Sequence, residues 1–106
     1  MIHQPSLREI HSRMSGKLSD KWDIYLEIYD QLLSRHRSQS INILEIGVQN
    51  GGSLETWGTY FENAEIIIGC DIDAKCKDLR FDDHRVHVII GDATSKNTAK
   101  EIDKLA

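Results

Sequence analysis

Three short β-branched runs, each leading into an acid or a glycine–acid pair, constrain this chain more than any other feature. They read Ile41-Asn-Ile-Leu-Glu-Ile46, Glu65-Ile-Ile-Ile-Gly-Cys70 and Arg85-Val-His-Val-Ile-Ile90. Their enrichment in isoleucine and valine marks them as strands. Between the first two lies Ser53–Phe61, with Leu54, Trp57 and Phe61 at the i, i+3, i+7 spacing of an amphipathic helix. A shorter helix is expected around Ala74–Leu79, capped by Asp73. Another is expected over Thr94–Leu105, with Ala99, Ile102 and Leu105 on one face. Strands alternating with helices imply a parallel sheet wound with right-handed crossovers. The pattern alone leaves the first strand either between the other two or at one edge.

Two helices come first. Ser6-Leu7-Arg8-Glu9, after Pro5, has the form of a capping box, and Leu7, Ile10 and Met14 follow at helical spacing up to Gly16. A second helix is expected from about Asp20 to Arg37. Trp22, Tyr25, Leu26, Tyr29, Leu32 and Leu33 share its apolar face; Asp23, Glu27, Asp30, Gln31 and Ser34 cover the opposite one. The Arg35-His36-Arg37 cluster reads as a solvated helix end. Residues 1–38 thus form an N-terminal helical segment, and residues 39–106 the strand-bearing unit.

With 106 residues the chain is one small domain. Charged residues make up 28%, and there are only seven Gly and one Pro, which excludes disordered and collagen-like classes. The longest wholly apolar run is Ile66-Ile67-Ile68, far short of the ~20 residues a membrane helix needs. The N-terminus lacks a signal-peptide core, so a soluble, cytoplasmic protein is expected. A net charge of −4 argues against nucleic-acid or anionic-membrane partners. Cys70 and Cys76 fit no zinc signature and are expected to be reduced packing residues. His84-x-x-His87 sits at a strand start, on the end of the sheet away from any crevice, so no metal site is expected there. His87, alternating with Val86 and Val88, is expected to face solvent.

The chemistry should lie at the carboxyl ends of the strands, where open α/β sheets bind ligands. Those ends carry Glu45-Ile46-Gly47, Cys70-Asp71 and Gly91-Asp92, so three carboxylates and a glycine loop converge on one crevice. The loop is Gly47-Val-Gln-Asn-Gly51-Gly52-Ser53, with Ser53 the expected helix N-cap. Gln49 replaces the middle glycine of a dinucleotide fingerprint, Glu45 would repel a pyrophosphate, and no Gly-Lys-Ser/Thr follows. The loop suits a ligand without phosphates. Asp71, 20 residues beyond Gly51, can accept hydrogen bonds from both hydroxyls of a ribose. Its removal is expected to weaken binding and leave the fold intact. Asp92 either meets an exocyclic amine or caps the last helix.

LEIGVQNGGS, IIGCDID and VIIGDATS together resemble the first three motifs of class I S-adenosylmethionine-dependent methyltransferases. Asp20-Lys21-Trp22 and the Gly-Gly-Ser-Leu…Trp…Tyr-Phe run are similar to the branch of O-methyltransferases acting on macrolide sugars, and the likeness spans roughly residues 19–95. The resemblance implies a Rossmann-like parallel sheet of order 3-2-1, truncated after three of the family's strands. It implies that Glu45, Gly47 and Gly51 surround the methionine part of the cofactor, that Asp71 holds the ribose and that Ile72 packs on the adenine. Asp92 would contact the adenine amine, with Ala93 beside it. Gln49 departs from the commoner Gly-x-Gly-x-Gly form.

The acceptor site (for a sugar or other small metabolite), the general base and a magnesium site would belong to the other half of a full-length parent. The 106-residue chain is therefore expected to bind cofactor weakly, to self-associate through an exposed sheet edge and to transfer no methyl group. Two rival readings are a nicotinamide-dependent oxidoreductase fragment, disfavoured by Glu45 and Gln49, and a catalytically silent interaction domain.

Overall fold

The computed structural model describes residues 4–13 and 23–106, apart from the side chains of His11 and of residues 23–26. Helices α1 (Leu7–Arg13) and α2 (Asp23–Leu33) lead through a 3-10 turn, Ser34–His36, into the alternating part. There β1 (Asn42–Ile46), α3 (Gly52–Tyr60), β2 (Ile66–Asp71), a 3-10 turn (Ala74–Asp78), β3 (Val86–Ile90) and α4 (Lys96–Leu105) follow in order. Met14, Gly16, Asp20, Lys21 and Trp22 lie outside the described residues, so the expected end of the first helix and start of the second do too. The side chains of Asp23, Tyr25 and Leu26 also lie outside them.

The three strands form one parallel sheet with β2 in the middle, which is the expected 3-2-1 order. Leu44 pairs with Ile68 and Ile46 with Cys70; Ile68 in turn pairs with His87 and Cys70 with Ile89. Strand β2 is buried along Ile67–Cys70, as a central parallel strand covered on both faces must be. Strand β1 alternates exposed and half-buried residues, as an edge strand does.

Alternation along β2 turns Gly69 toward α3, where a Cβ would stand 2.6 Å from Leu54 Cδ1 and 2.8 Å from Val48 Cγ2. Glycine at this point lets helix and sheet approach closely. Leu54, Trp57, Tyr60 and Phe61 are buried on this side with Val48 and Ile67. Leu7 and Ile10 of α1 join the same core. At the head of α1 the capping box closes reciprocally: Glu9 N donates to Ser6 Oγ (3.1 Å) and Ser6 N to Glu9 Oε1 (3.3 Å).

Several expectations about side-chain direction fail. Leu32, assigned to the apolar face of α2, is 61% exposed, whereas Asp30, assigned to the polar face, is half-buried. Asp30 accepts from the Tyr60 hydroxyl (2.6 Å) and from Leu7 N (3.2 Å). A helical wheel ranks residues by hydropathy and gives an acid no reason to face inward; a buried phenol and an unpaired helix N-terminal amide supply one. Arg37, expected at a solvated helix end, is 6% exposed; its guanidinium lies 4.0 Å over the Tyr60 ring and its Nε donates to Tyr60 O (3.0 Å). In α4 the buried residue is Thr98; Ala99 is exposed, and Leu105 is exposed by 37%. Ser95 caps that helix by accepting from Thr98 N (3.1 Å), so Asp92 is not its cap. His87 is half-buried rather than solvent-facing, because its register position beside Ile68 places it within the sheet.

Candidate functional site

The turn after β1 winds through three left-handed residues, Gly47 (φ 92°), Gln49 (φ 52°) and Gly51 (φ 88°). Gln49 is thus held in the left-handed region that favours glycine, at the position where the sequence departs from Gly-x-Gly-x-Gly. The turn is closed by Gly47 N donating to Cys70 O (2.8 Å) and Gly51 N to Val48 O (3.0 Å). Gly51, not Ser53, occupies the N-cap of α3; the side chain serving the helix start is Asn50, whose Oδ1 accepts from Gly52 N (3.0 Å). With Gly51 ending the turn in the left-handed region, the helix begins at Gly52 and Ser53 falls inside it.

A non-glycine residue at positive φ costs about 1–2 kcal/mol. Replacing Gln49 by glycine removes that strain but adds unfolded-chain entropy of about 0.5–1 kcal/mol. Gln49→Gly is thus expected to leave thermal stability unchanged or raised by about 1 kcal/mol, and Gln49→Val, β-branched at the same φ, to lower it. Denaturant unfolding of the two variants checks this.

Asp71 ends β2 and fastens this turn to the sheet. Its Oδ2 accepts from Val48 N (2.7 Å) and Gln49 N (3.3 Å), and its Oδ1 accepts from Asp73 N (2.9 Å). These amide donors, led by that of Asp73, hold the carboxyl below the usual carboxylate range, so it is ionised at neutral pH. Asp73 performs the capping role read from the sequence, accepting from Lys75 N (3.0 Å), although the element it caps is a 3-10 turn. Asp92 is exposed and accepts from Thr94 N (2.9 Å) and Thr94 Oγ1 (2.7 Å). The Thr94 hydroxyl is the main cause that keeps its carboxyl below the usual range.

Gly47, Asp71, Ile72, Asp92 and Ala93 line one open cavity of about 330 Å³ at the carboxyl ends of the strands. Ile46, Cys70, Gly91 and Thr94 complete its lining, which contains no basic side chain. Ile72 is 75% exposed beside it. A Cβ on Gly47 would meet nothing within 4 Å, so the backbone there is open to a ligand. Two of the expected residues lie elsewhere. Gly51 is buried at the head of α3. Glu45, in register with Gly69, turns toward α3, accepts from the Trp57 indole N–H (3.3 Å) and lines a second groove of about 470 Å³ with Tyr29, Leu33 and His36. Cys70 and Cys76 are free and buried. Burial first, then the charge of Asp71, pushes both thiols up, so they stay protonated.

Among the described residues, no group of three or more His, Cys, Asp or Glu side chains could hold a metal ion. No described helix is long and apolar enough to cross a membrane. Cys70 and Cys76 are reduced and packed, as expected, whereas the bonding of Arg85 to Asp83 and to the carbonyls of Gly58 and Phe61 had no signal in the sequence.

No family model matches the chain. It is 31% identical over 83 residues to the 8-demethyl-8-(2-methoxy-alpha-L-rhamnosyl)-tetracenomycin-C 3'-O-methyltransferase of Streptomyces olivaceus, covering 69% of this chain and 20% of that protein. The MycE methyltransferase from the mycinamycin biosynthetic pathway, solved in complex with Mg and SAH, superposes with a TM-score of 0.69 at 30% identity. That match covers 96% of this chain and 25% of MycE. MycE in complex with Mg, SAH and mycinamycin VI gives a TM-score of 0.68 at 31% identity, over 95% of this chain and 25% of that one. The chain thus spans a fifth to a quarter of the length of the relatives it matches. In sequence and in fold the chain is similar to the matched part of these methyltransferases, two structures of which hold SAH.

Proposed function

We propose that the cavity at the strand ends holds the adenosyl part of S-adenosylmethionine, and that the segment is the cofactor-binding portion of an O-methyltransferase acting on a hydroxyl of a sugar or small metabolite. The observation that carries this reading is the convergence of Gly47, Asp71, Ile72, Asp92 and Ala93 on one cavity. The bound group supplies an electrophilic methyl on a sulfonium centre. The chain's own residues bind and orient it. After accepting three backbone amides, Asp71 keeps about one acceptor site, on Oδ1, for a ribose hydroxyl, Ile72 offers an apolar face for the adenine, and Asp92 accepts from the adenine amine. Gly47, open above its backbone, leaves room for the methionine part. Two ionised carboxylates and no cation in the lining disfavour a pyrophosphate, which separates this site from a nicotinamide site.

The acceptor, its base and a magnesium ion are assigned to the length of the relatives that this chain does not match. Residues 1–38 are read as a helical segment and 39–106 as part of the cofactor domain. Free, buried Cys70 and Cys76 support a cytoplasmic setting. Strand β1, with Leu44 46% and Ile46 67% exposed, supports self-association of the isolated chain through that edge. Amide chemical-shift mapping with SAH, the demethylated product, tests the site. Shifts centred on Gly47, Asp71, Ile72, Asp92 and Ala93 support it; shifts centred on the Glu45–Trp57 groove, or none, contradict it.

A further inference from the structure

Cys76 lies in the 3-10 turn after β2, buried beneath the glycine loop at 5% exposure. Its backbone N–H donates to Asp73 O (3.0 Å), which seats the residue. Its Sγ stands 3.6 Å from Gln49 O, the carbonyl of the one non-glycine residue held at positive φ among the described residues. Burial first, and then the charge of the nearby Asp71 carboxylate, push this thiol up. Asp71 already receives the Val48, Gln49 and Asp73 amides and lines the cavity assigned above to the cofactor. One small residue therefore links the left-handed turn to the 3-10 turn that follows Asp71.

We propose that Cys76 is a positioning residue for cofactor binding: its thiol ties the Gln49 carbonyl to the 3-10 turn after β2, whose Asp73 amide the Asp71 carboxylate accepts, and so fixes the loop and the ribose-binding acid relative to each other. This rests on the cavity being the S-adenosylmethionine site. A thiol acts here as a donor only while protonated, and burial keeps it so. It does not touch the ligand and takes no part in the methyl transfer.

The test compares Cys76→Ser, which keeps a donor of similar size, with Cys76→Val, which fills the space without one. Two readings are taken on the full 106-residue chain: the Kd for SAH, and amide hydrogen exchange at Val48 and Gln49 in the ligand-free protein. Cys76→Val is expected to weaken SAH binding by about three- to tenfold and to speed exchange at both amides by a similar factor, the scale of one modest hydrogen bond. Cys76→Ser is expected to stay within about twofold of the unsubstituted chain in both readings. Global unfolding is followed in parallel, so that exchange is judged relative to overall stability. Unchanged exchange in Cys76→Val, or equal losses in the two variants, overturns the proposal. If the unsubstituted chain binds no SAH while exchange responds as expected, the positioning of the loop stands and the cofactor assignment fails.

Discussion

Replacing Arg85 by alanine is expected to destabilise the chain by about 2–4 kcal/mol, the scale of breaking a largely buried, multiply bonded ion pair. The Arg85 guanidinium donates to Gly58 O (2.7 Å), Phe61 O (2.9 Å), Ala64 O (3.1 Å) and Glu62 O (3.2 Å), which gathers the carbonyls released at the end of α3. It also holds Asp83 through Nε (2.9 Å) and Nη2 (2.6 Å). The side chains of the pair are 18% and 28% exposed, so water replaces little of this when the arginine is lost. Gly58 makes the approach possible, since a Cβ there would stand 2.7 Å from Asp83 Oδ2. Arg85→Lys keeps the charge but not the planar fork, and is expected to recover less than half of the loss.

The pH dependence has a definite sign. The Arg85 hydrogen bond is the main cause that holds the Asp83 carboxyl below the usual range. A depressed folded-state pKa contributes stability that is present above the unfolded value and lost as pH falls through the folded one. Arg85→Ala should therefore flatten the fall in stability on the acid side of about pH 4. Urea unfolding from neutral to acid pH checks both statements. An unchanged midpoint in Arg85→Ala would mean that the carbonyls it gathers are equally well served by water.

Replacing Asp71 by alanine is expected to weaken SAH binding by about 1.5–3 kcal/mol, the range for hydrogen bonds to a charged group. The structure adds a cost that strand-end position alone did not reveal. Val48, Gln49 and Asp73 each lose their side-chain acceptor, so the variant should also lose about 1–3 kcal/mol of stability instead of folding unaltered. Asp71→Asn retains one acceptor oxygen and should fall between the two. Calorimetric titration well below the unfolding temperature separates the effects. An unchanged Kd in folded Asp71→Ala would reduce the residue to a loop anchor.

The parts of this fold that were legible in the sequence are those set by periodicity. The three Ile/Val runs and the Leu54-Trp57-Phe61 spacing place each strand and α3 to within about one residue of the observed bounds. The strand-end acids were legible because position along the chain is enough to place a residue at one end of a parallel sheet. What escaped is the direction of polar side chains, which depends on partners far off in sequence. Asp30 turns inward for Tyr60, 30 residues later, and Arg85 reaches back 24 residues to Phe61. Glu45 shows the limit within a single strand: its place at the strand end is right, yet alternation aims it at Trp57 and away from the cavity that Asp71 and Asp92 line. Ser53 has the right residue type for an N-cap, but the left-handed turn at Gly51 starts the helix ahead of it.

The central claim is that the strand-end cavity takes an adenosyl ligand without phosphates, and calorimetry on the 106-residue chain tests it most directly. S-adenosylmethionine, SAH and NAD are titrated under identical conditions, with Asp71→Ala as the control. The account predicts weak but saturable binding of the first two at one site, loss of that binding in Asp71→Ala, and no heat from NAD. Binding of NAD alone would contradict it and assign the chain to nicotinamide chemistry. Silence toward all three ligands would contradict it as well, in favour of an interaction domain that has kept the fold without the site.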